Sequence, residues 1–179
     1  CAAYTAVDTA ESDTENAYQI NAVGPKNIGE VAAKLDLLVL HISTDFVFDG
    51  KHYLPYKEED ATAPLGVYGN TKLQGEKVLL ETLPSATIIR TSWLYSASGS
   101  NFLNTMLRLG TERSELNVVF DQIGTPTYAR DLAVACVAVL QQQIKGNSNR
   151  GIFHYSNEGV ASWYDFATAI MRLADKNCK

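Results

Sequence analysis

The sequence predicts an α/β fold, a doubly wound parallel sheet with helices on both faces. Two observations carry this. Short, almost wholly apolar runs recur along the chain, as strands buried on both faces read, and stretches of helical spacing lie between them. A third observation fits: 179 residues, 46% of them hydrophobic, suffice for a real core without disulfide or metal staples.

Taken in order, Ile28, Val31, Ala32 and Leu35 follow i, i+3, i+4, i+7 spacing and predict a helix, whose start Gly24-Pro25 leaves open. Leu37 to Ile42 is the first apolar run and ends in Ser43-Thr44-Asp45. Val67 to Leu83 reads as a helix stopped by Pro84. Ala86 to Thr91 is the second strand, and Phe102 to Arg113 the next helix. Leu116 to Phe120 is a weaker strand signal. Asp131 to Gln143 is helical, Gly151 to Tyr155 a further strand, and Ser162 to Leu173 a helix opened by Ser162 with Asp165 in capping-box spacing.

Charge and composition exclude several classes. Fifteen basic against 20 acidic residues, a net charge of −5, give no footprint for nucleic acid or an anionic membrane surface. The longest uncharged apolar run, Leu132 to Leu140, falls far short of the roughly 20 residues that span a bilayer. Cys1, Cys136 and Cys178 are too few and too dispersed for a disulfide framework or a zinc cluster, so no metal and a reducing, cytoplasmic setting are expected. The first residue is Cys1 rather than Met, which suggests a chain cut at its front.

In parallel sheets ligands bind beyond the carboxyl ends of the strands, which singles out Ser43-Thr44-Asp45 and Thr91-Ser92-Trp93. Tyr68 and Lys72, four apart near a predicted helix start, share one face of that helix. A neighbouring ammonium stabilises a phenolate, so this pair suits acid–base work on a substrate oxygen that Thr44 would also bind. Tyr53 and Lys57 have the same spacing, but Pro55 and Gly50 put them in a turn. His41, His154 and Cys136 read as core residues, and Asp8, Glu11, Asp13 and Glu15 as a solvated helix start. Asp45 reads equally well as a turn cap, and Trp93 equally well as a core or rim aromatic.

Thr44, Tyr68 and Lys72, in that order, resemble the catalytic set of the extended short-chain dehydrogenase/reductases. Four blocks narrow the resemblance to the dTDP-4-dehydrorhamnose reductase family: Ser43 to Gly50, Pro64 to Leu73, Arg90 to Tyr95 and Asp121 to Thr127. The resemblance implies a Rossmann-like fold that uses NADPH or NADH to reduce the 4-keto group of a dTDP-sugar, giving dTDP-L-rhamnose. It implies Tyr68 as proton donor, Lys72 on the nicotinamide ribose, Thr44, Asp45 and Trp93 on the sugar, and Ala2, Ala3, Tyr4 and Thr5 along the cofactor. It also implies a partial nucleotide-binding domain over 1–115, a substrate region over 116–179 interleaved with the last strands, and a homodimer as the candidate assembly. None of the twelve glycines forms the dinucleotide fingerprint, so these residues alone are expected to bind cofactor poorly and to leave an apolar sheet edge near Cys1. Two other readings stay open: a non-catalytic binding subunit like the regulatory subunit of methionine adenosyltransferase, and a sugar-nucleotide epimerase or dehydratase.

Overall fold

The structure, a computed structural model, describes residues 3–147 and 149–178. The expectation placed at Cys1 therefore lies outside the described residues. In chain order the elements are α1 (Val7–Ala10), α2 (Thr14–Tyr18), a π-helical segment (Gln19–Val23), α3 (Gly24–Leu35), β1 (Leu40–Thr44), a 3₁₀ turn (Asp45–Val47), α4 (Val67–Thr82) and β2 (Thr87–Thr91). Then follow β3 (Leu94–Tyr95), α5 (Phe102–Glu112), β4 (Ile123–Gly124), β5 (Thr127–Tyr128), α6 (Ala129–Ile144), β6 (Gly151–His154), β7 (Ala161–Ser162) and α7 (Trp163–Leu173). The chain divides into two compact units, 1–91 with 136–155, and 92–135 with 156–179.

The first unit holds the α/β sheet, three parallel strands in the order β1-β2-β6. Leu40 pairs with Thr87 and Thr44 with Thr91, so the two strands end level. β2, the middle strand, is buried along its whole length, which is why it reads as an uninterrupted run. Ala32, Leu79, Leu83, Ala86 and Ile88 form the core beneath it; burying a Leu or Ile side chain contributes roughly 1.5–3 kcal/mol.

α3 forms where expected, yet its apolar stripe faces outward: Ile28, Val31 and Leu35 are exposed and only Ala32 is buried. The helix packs instead through small residues. A methyl on Gly29 would stand 3.1 Å from Leu79 Cδ1, so the two helices are tightly apposed there and Leu79 would have to yield by a few tenths of an ångström to admit it. The ambiguous Gly24-Pro25 lies inside a helical run that continues from α2 through the π segment. Pro25 has no N–H to give to the carbonyl four residues back, that of Asn21, so the normal ladder breaks and widens there.

In the second unit β3 pairs with β5 in parallel and β4 with β7 antiparallel. Met106, Ala167, Ile170 and Met171 make its core, against which Leu116 and Val118 pack. The expected strand over Leu116 to Phe120 is absent; the segment is extended without a ladder partner, held instead by side-chain packing and a bond from Tyr164 N–H to Val119 O. Ser162 caps α7 with the full capping box, its hydroxyl accepting from Asp165 N–H at 3.0 Å while Asp165 accepts from Ser162 N–H at 2.9 Å. Among the described residues no helix is long and apolar enough to cross a membrane.

Candidate active site

The carboxyl end of β1 and the first turns of α4 build one cluster. Thr44 Oγ1 accepts from Phe46 N–H at 3.2 Å and donates to Asp45 Oδ1 at 3.1 Å, capping the 3₁₀ turn. The start of α4 is pressed against that turn. A Cβ at Gly69 would lie 2.2 Å from the Phe46 carbonyl oxygen, so only glycine lets the helix approach this closely. The approach brings the Tyr68 hydroxyl under the influence of Thr44 and sets its ring edge-on to Phe46 at 5.5 Å. Glu11 belongs here too. Rather than being merely solvated, its Oε1 accepts from Val67 N–H at 2.8 Å, placing a carboxylate on the first amide of α4.

Burial raises the Tyr68 hydroxyl above the ordinary phenol value, with Thr44 opposing the shift and the Asp45 charge adding to it. Asp45 itself is raised by burial. The shift on Tyr68 comes from burial, Thr44 and Asp45, while the Lys72 ammonium faces β1. Lys72 is 3% exposed; its Nζ donates to Ile42 O at 2.7 Å and lies 3.3 Å from His41 Nε2. Desolvation lowers Lys72 to about 8, with Glu76 pulling it back up. His41 is lowered to about 3, by burial and then by the Lys72 charge, and is neutral at any working pH. Glu76, one turn further along α4, is locked to Arg90 of β2 by paired bonds of 2.9 and 2.7 Å.

Asn21 ties the opening segment to the same helix. Its Oδ1 accepts from Tyr4 N–H at 2.9 Å, while its Nδ2 donates to Tyr4 O at 3.0 Å and Thr71 Oγ1 at 3.2 Å. A Cβ at Gly75 would stand 2.0 Å from Asn21 O, so α4 lies directly on the π segment. Ala3 and Thr5, on either side of the pinned Tyr4, are exposed. Ala2, the remaining residue expected along the cofactor, lies outside the described residues.

Thr44, Asp45, Tyr68 and Lys72 are thus brought together in the first unit. Trp93 belongs to the second. It adopts φ +46°, stacks on Trp163 at 3.6 Å, and has Gly124 against its ring, where a Cβ would meet Cε2 at 2.4 Å. One face of its indole is taken up by Trp163. Ser92 Oγ donates to Thr125 O at 2.8 Å, fixing the Asp121 to Thr127 loop to the same junction. The second tyrosine–lysine pair does not form a site: Tyr53 is 92% exposed in non-helical chain.

Asn21 and Glu76 carried no role in the sequence reading, Glu11 was read only as part of a solvated helix start, and Arg90 only as the head of a resemblance block. Only Arg90 carried a readable signal, a charge set in the otherwise apolar run of β2.

A family model described as "RmlD substrate binding domain" matches residues 1–178. The dTDP-4-dehydrorhamnose reductase of Sinorhizobium fredii is 48% identical over 177 residues, 98% of this chain and 60% of that protein. The crystal structure of a dTDP-4-dehydrorhamnose reductase from Clostridium acetobutylicum superposes with a TM-score of 0.95 at 45% identity, covering 100% of this chain and 62% of that one. The Bacillus anthracis enzyme, solved in complex with NADP, gives 0.90 at 42% identity, covering 100% and 63%. The chain therefore spans about 60% of the length of the relatives it matches.

Proposed function

The chain belongs to the RmlD substrate binding domain family, and from that membership we propose that the protein reduces the 4-keto group of a dTDP-4-dehydro-6-deoxy sugar with NADPH or NADH, giving dTDP-L-rhamnose. The observation that supports this reading best is the cluster of Thr44, Tyr68 and Lys72 where β1 meets α4.

Reduction of a ketone requires a proton for the oxygen as negative charge develops there. Tyr68, kept protonated by its burial, is in the donor state for that step. Its proton passes to O4 as the C4–O double bond opens, and the phenolate left behind draws a proton from solvent. Thr44, at the end of β1 beside Tyr68, would hold the same oxygen in line. Asp45, and through the family resemblance Trp93, would contact the sugar.

The residues present fit a nicotinamide cofactor. Lys72 has three donors of which two face β1, so one remains for a ribose hydroxyl. The exposed backbone of Ala3 and Thr5, held in place through Tyr4, suits a lining strip. When bound, the reduced cofactor supplies the hydride to C4.

The test incubates the full-length protein with dTDP-4-dehydro-6-deoxy-L-mannose and NADPH, then NADH, following loss of absorbance and identifying the sugar product. Formation of dTDP-L-rhamnose is the expected result. Tight nucleotide binding without turnover would replace this reading with that of a binding subunit.

A further inference from the structure

Lys72 is held by the sheet as well as by its own helix. Its Nζ meets two groups from consecutive residues of β1, Ile42 O and His41 Nε2, contributed from 30 and 31 residues away. An ammonium is a donor only, so a hydrogen bond across the 3.3 Å contact requires His41 Nε2 to be the acceptor and its proton to sit on Nδ1. A protonated imidazole would instead set two cations against each other in a site largely closed to water. We propose that His41 is a positioning residue: a neutral imidazole on β1 that accepts from Lys72 Nζ and, with Ile42 O, fixes the ammonium so that one N–H is left for the ligand. The inference rests on the proposed reductase site.

The charged and titratable groups around Lys72 are few. Glu76 lies on α4 itself and is committed to Arg90 of β2, Tyr68 precedes Lys72 by one turn, and Asp45 acts on Tyr68 from the 3₁₀ turn. His41 is therefore the one neutral side-chain partner given for the ammonium among the described residues. Loss of this acceptor makes the charged form of Lys72 harder to hold, so its pKa moves down from about 8. The expected shift on His41→Leu is about one pH unit, the size of a hydrogen bond to a charged group. His41→Gln places an amide oxygen near the position of Nε2 and restores most of it.

Nitrogen-15 NMR of the full-length protein reads this directly. In the wild type the His41 ring is expected as the Nδ1–H tautomer at pH 7, a measurement that needs no variant. A proton on Nε2 would overturn the proposal. Titration of the Lys72 Nζ signal, assigned with Lys72→Arg, is expected to run lower in His41→Leu and close to wild type in His41→Gln; equal titration in all three proteins also overturns it. The basic limb of the kcat profile should move with the NMR value, with kcat down about twofold at pH 7 and approaching tenfold at pH 9, and the sugar KM little changed. Absence of turnover in the wild type would remove the reductase reading, while the NMR titration would still decide the His41–Lys72 contact.

Discussion

Glu76→Gln tests the energetics of the ground on which the candidate site stands. The Arg90 and Glu76 side chains are 4% and 1% exposed, joined by two parallel bonds, with the guanidinium lying 5.1 Å over the Phe48 ring. Amide for carboxylate preserves shape and one acceptor but leaves Arg90 as a buried cation without its counter-charge. Breaking a buried pair costs about 3–5 kcal/mol, and the retained acceptor puts the expectation at about 3 kcal/mol. At about 2–4 °C per kcal/mol for a chain of this size, Tm should fall by about 6–12 °C. Urea denaturation at pH 7, with calorimetry alongside, measures the loss. Glu76→Gln with Arg90→Met removes both charges and should recover part of the stability, since apolar replacements of buried pairs are often neutral. A single variant within about 1 kcal/mol of wild type, or a double variant less stable than the sum of the singles, would refute the reasoning.

Three further outcomes are expected. Tyr68→Phe removes the proton donor and should lower turnover by about 10²–10⁴-fold while leaving cofactor affinity, measured by fluorescence titration, close to wild type. Gly75→Ala drives a methyl to 2.0 Å from Asn21 O and should cost about 1–3 kcal/mol in a denaturant melt, whereas Gly24→Ala, whose nearest neighbour is 3.7 Å away, should cost little. His41 has a folded pKa of about 3 against an ordinary 6.5, so below pH 6.5 the unfolded chain takes up a proton that the folded chain refuses. Stability from this group is complete above pH 6.5 and falls as pH drops toward 3. The wild type should therefore lose more stability than His41→Gln over that range in melts at pH 7, 5 and 4, and parallel curves would contradict the assignment.

The sequence reading recovered the parallel sheet because β2 is enclosed on both faces and Thr87 to Thr91 has no wet side to encode. It located Thr44 and Tyr68 because strand ends and helix starts have readable chemistry, and the Ser162 cap for the same reason. It found α3 but not its buried face, since helix–helix contact there runs through Pro25, Gly29 and Ala32, which a hydrophobicity pattern scores as weak. It took Leu116 to Phe120 for a strand because β-branched and aromatic residues pack equally well on a neighbouring helix. The role of Asn21 was illegible for a different reason: its partners are the backbone of Tyr4, 17 residues before it, and Thr71, 50 residues after. The same holds for Lys72, whose spacing from Tyr68 was visible but whose attachment to β1 was not.

The seat of Gly75 on the π segment has a consequence for how the first unit comes apart. Because Asn21 holds Tyr4 through its side chain and meets α4 through its carbonyl and Thr71, local unfolding of the π segment unfastens the opening segment and removes the seat of α4 in the same movement. Amide exchange at Tyr4 should then keep pace with exchange in α4, although Tyr4 lies in no helix or strand. Residues 3–5 and α4 would then melt as one foldon, and partial opening that frees one while sparing the other would have no intermediate to occupy.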